Sequence, residues 1–519
     1  MKAGFKKVLI NSNIKYKEDG LSAEQEFLSG LTRHTLNENP ASSGMPFCCR
    51  DGEVYTDDSD SHTLIFGNTG TKKTRNFCIP GVYTIGMAGE SMIISDPKGE
   101  IYRNTSGFLE RQGYEIKVLN LREPECSSKW NPLLLPYRYY RSGDTDRAIE
   151  MISDFAMQLT AQIHMERDLF WENQAMDLLV GLILILFESE PDEKKVHMES
   201  IQHIRMYMEV EKEGDSNIFW DLLESFPENS FVRYKLASIY ALRKTEKTFA
   251  SIVSTFDSMI RMFLFNKKIM GMLDSTEINF DTLGEERTAL YLIIPDEKTT
   301  FHFLVSVFVK QCYECLIEHA QKTKTGMLLR RINFILDEFS NFPKIADMSA
   351  MISAARSRNI RFFLVVQSKQ QLLSMYGDEA ETIKSNCRNW IYLSCRELGL
   401  LQEIEALCGT LYISGKGELP LLSISQLQML KIGWEDSQAL VLRGGVRPHI
   451  TWVKDFSVYP QASYQMIPFA RRKLERPEFF SVPGYLYEKL SEELGEELKK
   501  LEELEDDKNF DLDELFSNE

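Results

Sequence analysis

Apolar positions along this chain follow two rhythms. In the first they run on with little interruption and stop at a polar turn. Residues 62–66, 91–96 and 114–123 read this way, each a short strand, with a helix-like stretch after the first. The rhythm returns in "TALYLIIP" (288–295), "RINFILDEF" (331–339), "IRFFLVVQS" (360–368), "NWIYLSC" (389–395) and "QALVLRGG" (438–445). Unbroken apolar strands are buried on both faces, as in a parallel sheet covered by helices. The second rhythm occupies residues 144–272, where apolar side chains recur every three or four positions. "RAIEMISDFAMQLTAQI", "FWENQAMDLLVGLILILFE", "VHMESIQHIRMYMEVE" and "EKTFASIVSTFDSMIRMFL" each have the period of a helix.

The two rhythms predict an α/β fold: a mostly parallel central sheet interrupted by an all-α insertion. The expected division is an N-terminal arm (1–60), a first part of the sheet domain (61–140), the all-α domain (141–280), a second part of the sheet domain (281–460) and an acidic tail (461–519). The arm is turn-rich ("NENPASSGMP", "TDDSDSH") and reads as irregular. In the tail, leucines at 486, 490, 494, 498 and 501 mark an amphipathic helix.

Chemistry enters at the first strand. "HTLIFGNTGTKKTRNF" (62–77) is a strand, a turn and a helix start, close to the phosphate-loop pattern G-x-x-x-x-G-K-[ST]. Gly67, Asn68, Thr69, Gly70, Thr71, Lys72, Lys73 and Thr74 form the candidate loop. Its backbone N–H groups would face phosphate oxygens at a helix N-terminus. Lys73 would reach the terminal phosphates, and the Thr74 hydroxyl would help hold Mg²⁺. The second glycine of the pattern is replaced by Lys72, whose side chain either obstructs the loop or swings clear of it. Far downstream, "FILDEF" ends an apolar strand on Asp337 and Glu338. Two acids there suit a second metal-holding group, Asp337, and a base for water, Glu338. Gln367 ends the next strand, where the ligand crevice of such a sheet lies, and is placed to sense the terminal phosphate. This order of loop, acid pair and glutamine is that of a RecA-like motor. "AARSRNIR" offers Arg356, Arg358 and Arg361 as candidates for an arginine that completes a neighbouring subunit's site.

Composition narrows the picture at three points. The net charge of −17 excludes a uniformly basic coat, although fourteen acidic and four basic residues after Tyr487 account for −10 of it. The one C-x-x-C, Cys312 and Cys315, has no second pair at zinc-finger spacing and lies in a helix-like run. The longest apolar run, "LLVGLILILF" (178–187), is ten residues, about half of what a bilayer core needs, and reads as a buried core helix. With no signal peptide in its opening residues, the chain is expected to be cytoplasmic, reaching the inner face of the plasma membrane only through partners.

The chain resembles the type IV secretion coupling proteins, the conjugative DNA-transfer ATPases that include the TraG-like group. The likeness rests on "GNTGTKKTRNF", "ISDPKGEIYRNTSGFLERQGYEIKVLNL", "WNPL" (130–133), "FWENQAMDLLVGLIL", "LIIPDEKTTFHFLVSVFVKQ", "ILDEFSNFPKI", "AARSRNIRFFLVVQSKQQL" and "IKSNCRNWIYLS". It implies ATP and Mg²⁺ as ligands, a hexameric ring, DNA or a relaxase–DNA complex as cargo, and secretion-channel components as partners. It implies a nucleotide loop from Gly67 to Thr74, an acidic motif at Asp337 and Glu338, and a role near the site or a subunit contact for Asp96 and Lys98 of "DPKGE". Two other readings stand beside it: a substrate-docking adaptor with little or no ATPase activity, and a coupling protein for protein effectors only. The best DNA-contact segment is "RYKLASIYALRKTEK" (233–247), with basic and aromatic residues interleaved.

Overall fold

A computed structural model describes residues 20–515, apart from 162–168, 210–216, 296, 414 and 474–476. The chain divides into two compact units. One comprises residues 1–128 and 277–473; the other comprises 129–276 and 474–519.

After a short helix, Glu24–Leu28, the first unit has three short strands, β1 (Thr32–Thr35), β2 (Pro46–Arg50) and β3 (Glu53–Thr56), paired antiparallel in the order β1-β3-β2. The stretch expected to be irregular is therefore a small sheet. Its strands are too short, and too interleaved with polar residues, to stand out from turn-rich sequence.

The main sheet takes nine strands. Before the insertion come β4 (Thr63–Phe66), β5 (Ser91–Asp96) and β6 (Glu115–Asn120). After it come β7 (Thr288–Ile293), β8 (Ile332–Leu336), β9 (Ile360–Val366) and β10 (Asn389–Tyr392). A separate two-stranded ribbon, β11 (Thr410–Ile413) and β12 (Gly417–Pro420), precedes the last two strands of the sheet, β13 (Asp436–Arg443) and β14 (Val446–Lys454). The order is β14-β13-β10-β4-β9-β8-β5-β7-β6. The seven strands from β10 to β6 are all parallel, and β13 and β14 add an antiparallel edge. Every residue of β4, β5, β7, β8 and β9 is buried, as their unbroken apolar sequences require. After the insertion the chain does not extend the sheet at its edge: β7 slots between β5 and β6.

Residues 461–473 also belong to this unit. Tyr102 stacks on Phe469 at 4.6 Å and donates its hydroxyl to the Ile467 carbonyl at 3.0 Å.

The second unit is helical. Its core helix, Leu169–Ser189, is the one helix among the described residues long and apolar enough to cross a membrane. Here residues 178–187 are buried inside the unit. Gly181 lets the helix Phe231–Leu242 come close: a Cβ at position 181 would stand 2.3 Å from the Leu236 side chain. The acidic tail forms the helix Val482–Leu515. Its first turns dock through Tyr485, which stacks on Phe226, and through Lys489, which donates to the Ser225 carbonyl. On the same stretch of helix Tyr487, Leu490 and Leu494 are exposed.

Candidate nucleotide site

Parallel strands deliver all their carboxyl ends to one edge of the sheet, and the predicted loop and acids meet there. β4 hands the chain to the loop. Gly67 N–H donates to the Val366 carbonyl and Asn68 N–H to the Ser394 carbonyl, so the loop is anchored to the strands on both sides. Gly70 takes φ +84°, which suits glycine. Lys72 takes φ +64°, the left-handed conformation that the missing second glycine would adopt freely. A lysine there costs about 1–2 kcal/mol. Its side chain leaves the loop altogether: Nζ donates to the Trp434 carbonyl at 2.8 Å and lies 4.0 Å from Asp455. The loop backbone is therefore shaped as a glycine would shape it, and the extra cation does not fill it.

Lys73 begins the helix that follows. Its side chain is buried, and its ammonium donates to the Gly67 carbonyl at 2.5 Å and the Asn68 carbonyl at 3.2 Å. Burial pushes its pKa down, against the pull of Asp337 and Glu338. A buried ammonium held by the carbonyls of its own loop is poised to exchange them for an anion.

β8 and β9 bring the other groups. The Thr74 hydroxyl donates to Asp337 Oδ2 at 2.5 Å. Asp337 is buried, and that burial pushes its pKa up to about 6, opposed by the Thr74 hydrogen bond. Glu338 sits at φ +52°, a second left-handed residue that is neither Gly, Asn nor Asp. That backbone turn aims its carboxylate sideways, where it accepts from Asn341 Nδ2 at 2.5 Å and Gln367 Nε2 at 3.4 Å. Gln367 Oε1 in turn accepts from the Thr69 hydroxyl at 3.1 Å. One glutamine thus links the loop to the acid. Strained non-glycine backbone of this kind persists where surrounding contacts enforce it, often at working sites.

The donor set fits a nucleoside triphosphate with Mg²⁺. It comprises a hydroxyl and a buried carboxylate in contact, a buried ammonium, and a loop backbone opening at a helix start. Thr74 and Asp337 would hold the metal.

Not every candidate comes to this edge. Arg356, Arg358 and Arg361 precede or begin β9, so they lie at its opposite, amino end. Arg356 pairs with Asp60 at 3.2 Å, and Arg358 donates to the Ala354 carbonyl at 3.1 Å. Arg361 is 1% exposed and bound to Glu90 at 2.6 Å, which removes it as an arginine for a neighbour. Asp96 ends β5 at the correct edge, but its carboxylate accepts from the Tyr102 N–H at 2.7 Å and caps the helix Glu100–Arg111. Burial pushes its pKa up to about 7. Lys98 is exposed.

Other residues join without any sequence signal. Ser95 donates to the Asp337 carbonyl at 2.8 Å and sets the acid-bearing turn. Arg75 makes a two-pronged bond to buried Asp455, at 2.7 and 2.8 Å, and so ties the first turn after the loop to the end of β14.

A family profile described as "Type IV secretory system Conjugative DNA transfer" matches residues 15–413. The chain belongs to this family. The Conjugal transfer protein TraG of Escherichia coli is 24% identical over 344 residues, 63% of this chain and 51% of that protein. The chain thus spans about half the length of that curated relative. Among solved structures, the plasmid coupling protein TrwB in complex with the ATP analogue ADPNP superposes with a TM-score of 0.58 at 16% identity, covering 89% of this chain and 97% of that one. TrwB in complex with ADP and Mg²⁺ gives 0.57 at 15%, covering 89% and 98%. At such identities the likeness shows the fold: a RecA-like P-loop domain interrupted by an all-α domain. The resemblance to conjugative coupling proteins read from the motifs is borne out.

Proposed function

We propose that this chain is the ATP-hydrolysing coupling protein of a conjugative type IV secretion system, moving DNA or relaxase–DNA complexes toward the channel. The observation that carries the reading is the double linkage at the sheet edge. Thr74 meets Asp337, and Thr69 reaches Glu338 through Gln367, so the loop, both acids and the glutamine form one connected site. The names of relatives agree: TraG is a conjugal transfer protein, and TrwB is a plasmid coupling protein seen in complex with ADPNP and with ADP and Mg²⁺.

In this reading the loop amides and Lys73 bind the phosphates. Lys73 exchanges its own carbonyl partners for the β- and γ-oxygens. Thr74 and Asp337 would hold Mg²⁺, whose charge would offset that of the phosphates. Glu338 orients and deprotonates the attacking water. Gln367, bonded to both Thr69 and Glu338, couples the state of the terminal phosphate to the acid. Arg358 lies at the far edge and serves a nucleotide only from a neighbouring copy, as a hexameric ring would allow. Membrane association would come through secretion-channel partners, with the chain itself at the cytoplasmic face.

The test is ATP binding and hydrolysis by the purified protein, with and without single-stranded DNA. Hydrolysis stimulated by DNA supports the motor. Binding without hydrolysis supports the docking adaptor, and absence of both removes the nucleotide reading.

A further inference from the structure

Lys72 and the residue it holds carry a further inference. Trp434 lies in the turn before β13 and is 82% exposed, the indole of the largest residue type left almost bare. Single exposed aromatics are common and by themselves mean nothing. This one is fixed in place from two directions.

The turn itself is tight. Gly433 N–H donates to the Asp436 carbonyl at 2.9 Å, and Ile432 bridges to Ser437. A Cβ on Gly433 would stand 2.4 Å from the Asp436 carbonyl oxygen, so glycine is required there. Lys72 then grips the tryptophan twice. Its ammonium donates to the Trp434 carbonyl at 2.8 Å and lies 4.9 Å from the centre of the indole ring. One face of the ring thus receives a cation, and the ring remains almost wholly open to solvent. One lysine side chain links this ring to the phosphate loop.

We propose that Trp434 is the platform on which the base of the bound nucleotide stacks, with Lys72 as the arm that positions it. This rests on the reading of the loop as a nucleoside triphosphate site. It also gives the missing glycine a reason. Glycine would suit the backbone at position 72, but only a long cationic side chain reaches from the loop to the tryptophan. The strain of φ +64° buys a fixed stacking surface. Stacking accepts any base, so the surface adds affinity for nucleotides over bare polyphosphate and discriminates weakly between purines.

The experiment titrates the full chain with Mg·ATP and with Mg·tripolyphosphate, which has no base. Wild type, Trp434→Ala and Trp434→Phe are compared by calorimetry. Trp434→Ala is expected to weaken ATP about tenfold and leave tripolyphosphate unchanged, and Trp434→Phe to restore most of the ATP affinity. Tryptophan fluorescence of the wild type should be quenched by ATP but not by tripolyphosphate, and the quench should vanish in Trp434→Phe. Unchanged ATP affinity in Trp434→Ala overturns the inference alone. Equal weakening of both ligands does so too, since it reports a disturbed loop rather than a lost stack. If the wild type binds neither ligand, the nucleotide reading of the loop falls and this inference falls with it.

Discussion

At the amino edge of the central sheet, Arg361 donates to five acceptors: Asn333 Oδ1, the carbonyls of Asp57, Ser59 and Ser43, and Glu90 Oε2. At the carboxyl edge, Lys73 is also buried, yet among the described residues its ammonium donates to just two carbonyls, both of its own loop. Both edges bury a cation, and burying a cation is costly unless it is paired. The amino edge has closed its account with fixed partners, so its charges serve the fold. The carboxyl edge has not, so its charges favour whatever anion arrives. Burial alone therefore does not mark a functional charge; incomplete satisfaction beside other polar groups does.

The comparison is broken most forcefully at Arg361. Arg361→Met leaves the Glu90 carboxylate buried without its main partner, and should cost about 3–5 kcal/mol of stability by urea denaturation. Adding Glu90→Gln should recover part of that loss. A fully stable Arg361→Met would mean the amino-edge network is dispensable and the contrast false.

At the other edge the loss should be of function. Lys73→Ala and Glu338→Gln should each lower ATP turnover about 100- to 1000-fold while melting close to wild type. Turnover persisting unchanged in both would show that the reaction site lies elsewhere.

Acid should separate the edges by sign. His62, just before β4, is buried at the amino edge. Its Nδ1 accepts from the Phe362 N–H at 3.0 Å, so Nε2 carries the proton that bonds the Ile352 carbonyl at 2.8 Å. Burial pushes its pKa down to about 4. A base depressed in the fold supplies stability that is present above its unfolded value of about 6.5 and drains away as pH falls toward 4, about 3 kcal/mol in all. Asp96 and Asp337 are raised, to about 7 and about 6. Their ionisation penalises the fold as pH rises through those values, so acid relieves it. Urea midpoints at pH 7.5 and pH 4.5 should fall less in His62→Gln than in wild type. An identical fall in both would remove His62 from the acid response.

How much of this was legible in sequence follows from where each signal resides. The loop, Asp337, Glu338 and Gln367 were readable because each ends an unbroken apolar strand, and parallel strands end at one edge. The helical insertion was readable from its period. The placement of β7 between β5 and β6 was not, because strand order depends on pairings between distant segments. The arginines of "AARSRNIR" stand between the acid pair and Gln367 in sequence, but they precede or begin β9, and that strand carries the chain from them to the opposite edge. Asp455 and Trp434 lie hundreds of residues from the loop they touch, and only the folded sheet brings β13 and β14 to it.

The finest test concerns Lys72, where the carboxyl edge accepts backbone strain of its own. Lys72→Gly and Lys72→Ala both release Trp434, so any difference between them reports the backbone alone. Glycine adopts φ +64° without penalty, whereas alanine keeps the clash between Cβ and carbonyl oxygen. Glycine also makes the unfolded chain more flexible, which offsets part of the gain. Lys72→Gly should therefore be the more stable of the two by about 1 kcal/mol, with turnover at saturating ATP kept or raised. Equal stabilities would mean the loop relaxes out of the left-handed conformation once the arm to Trp434 is cut. In that case the tryptophan contact holds the lysine in its strained shape, and the loop's geometry is imposed from β13 rather than built into its own sequence.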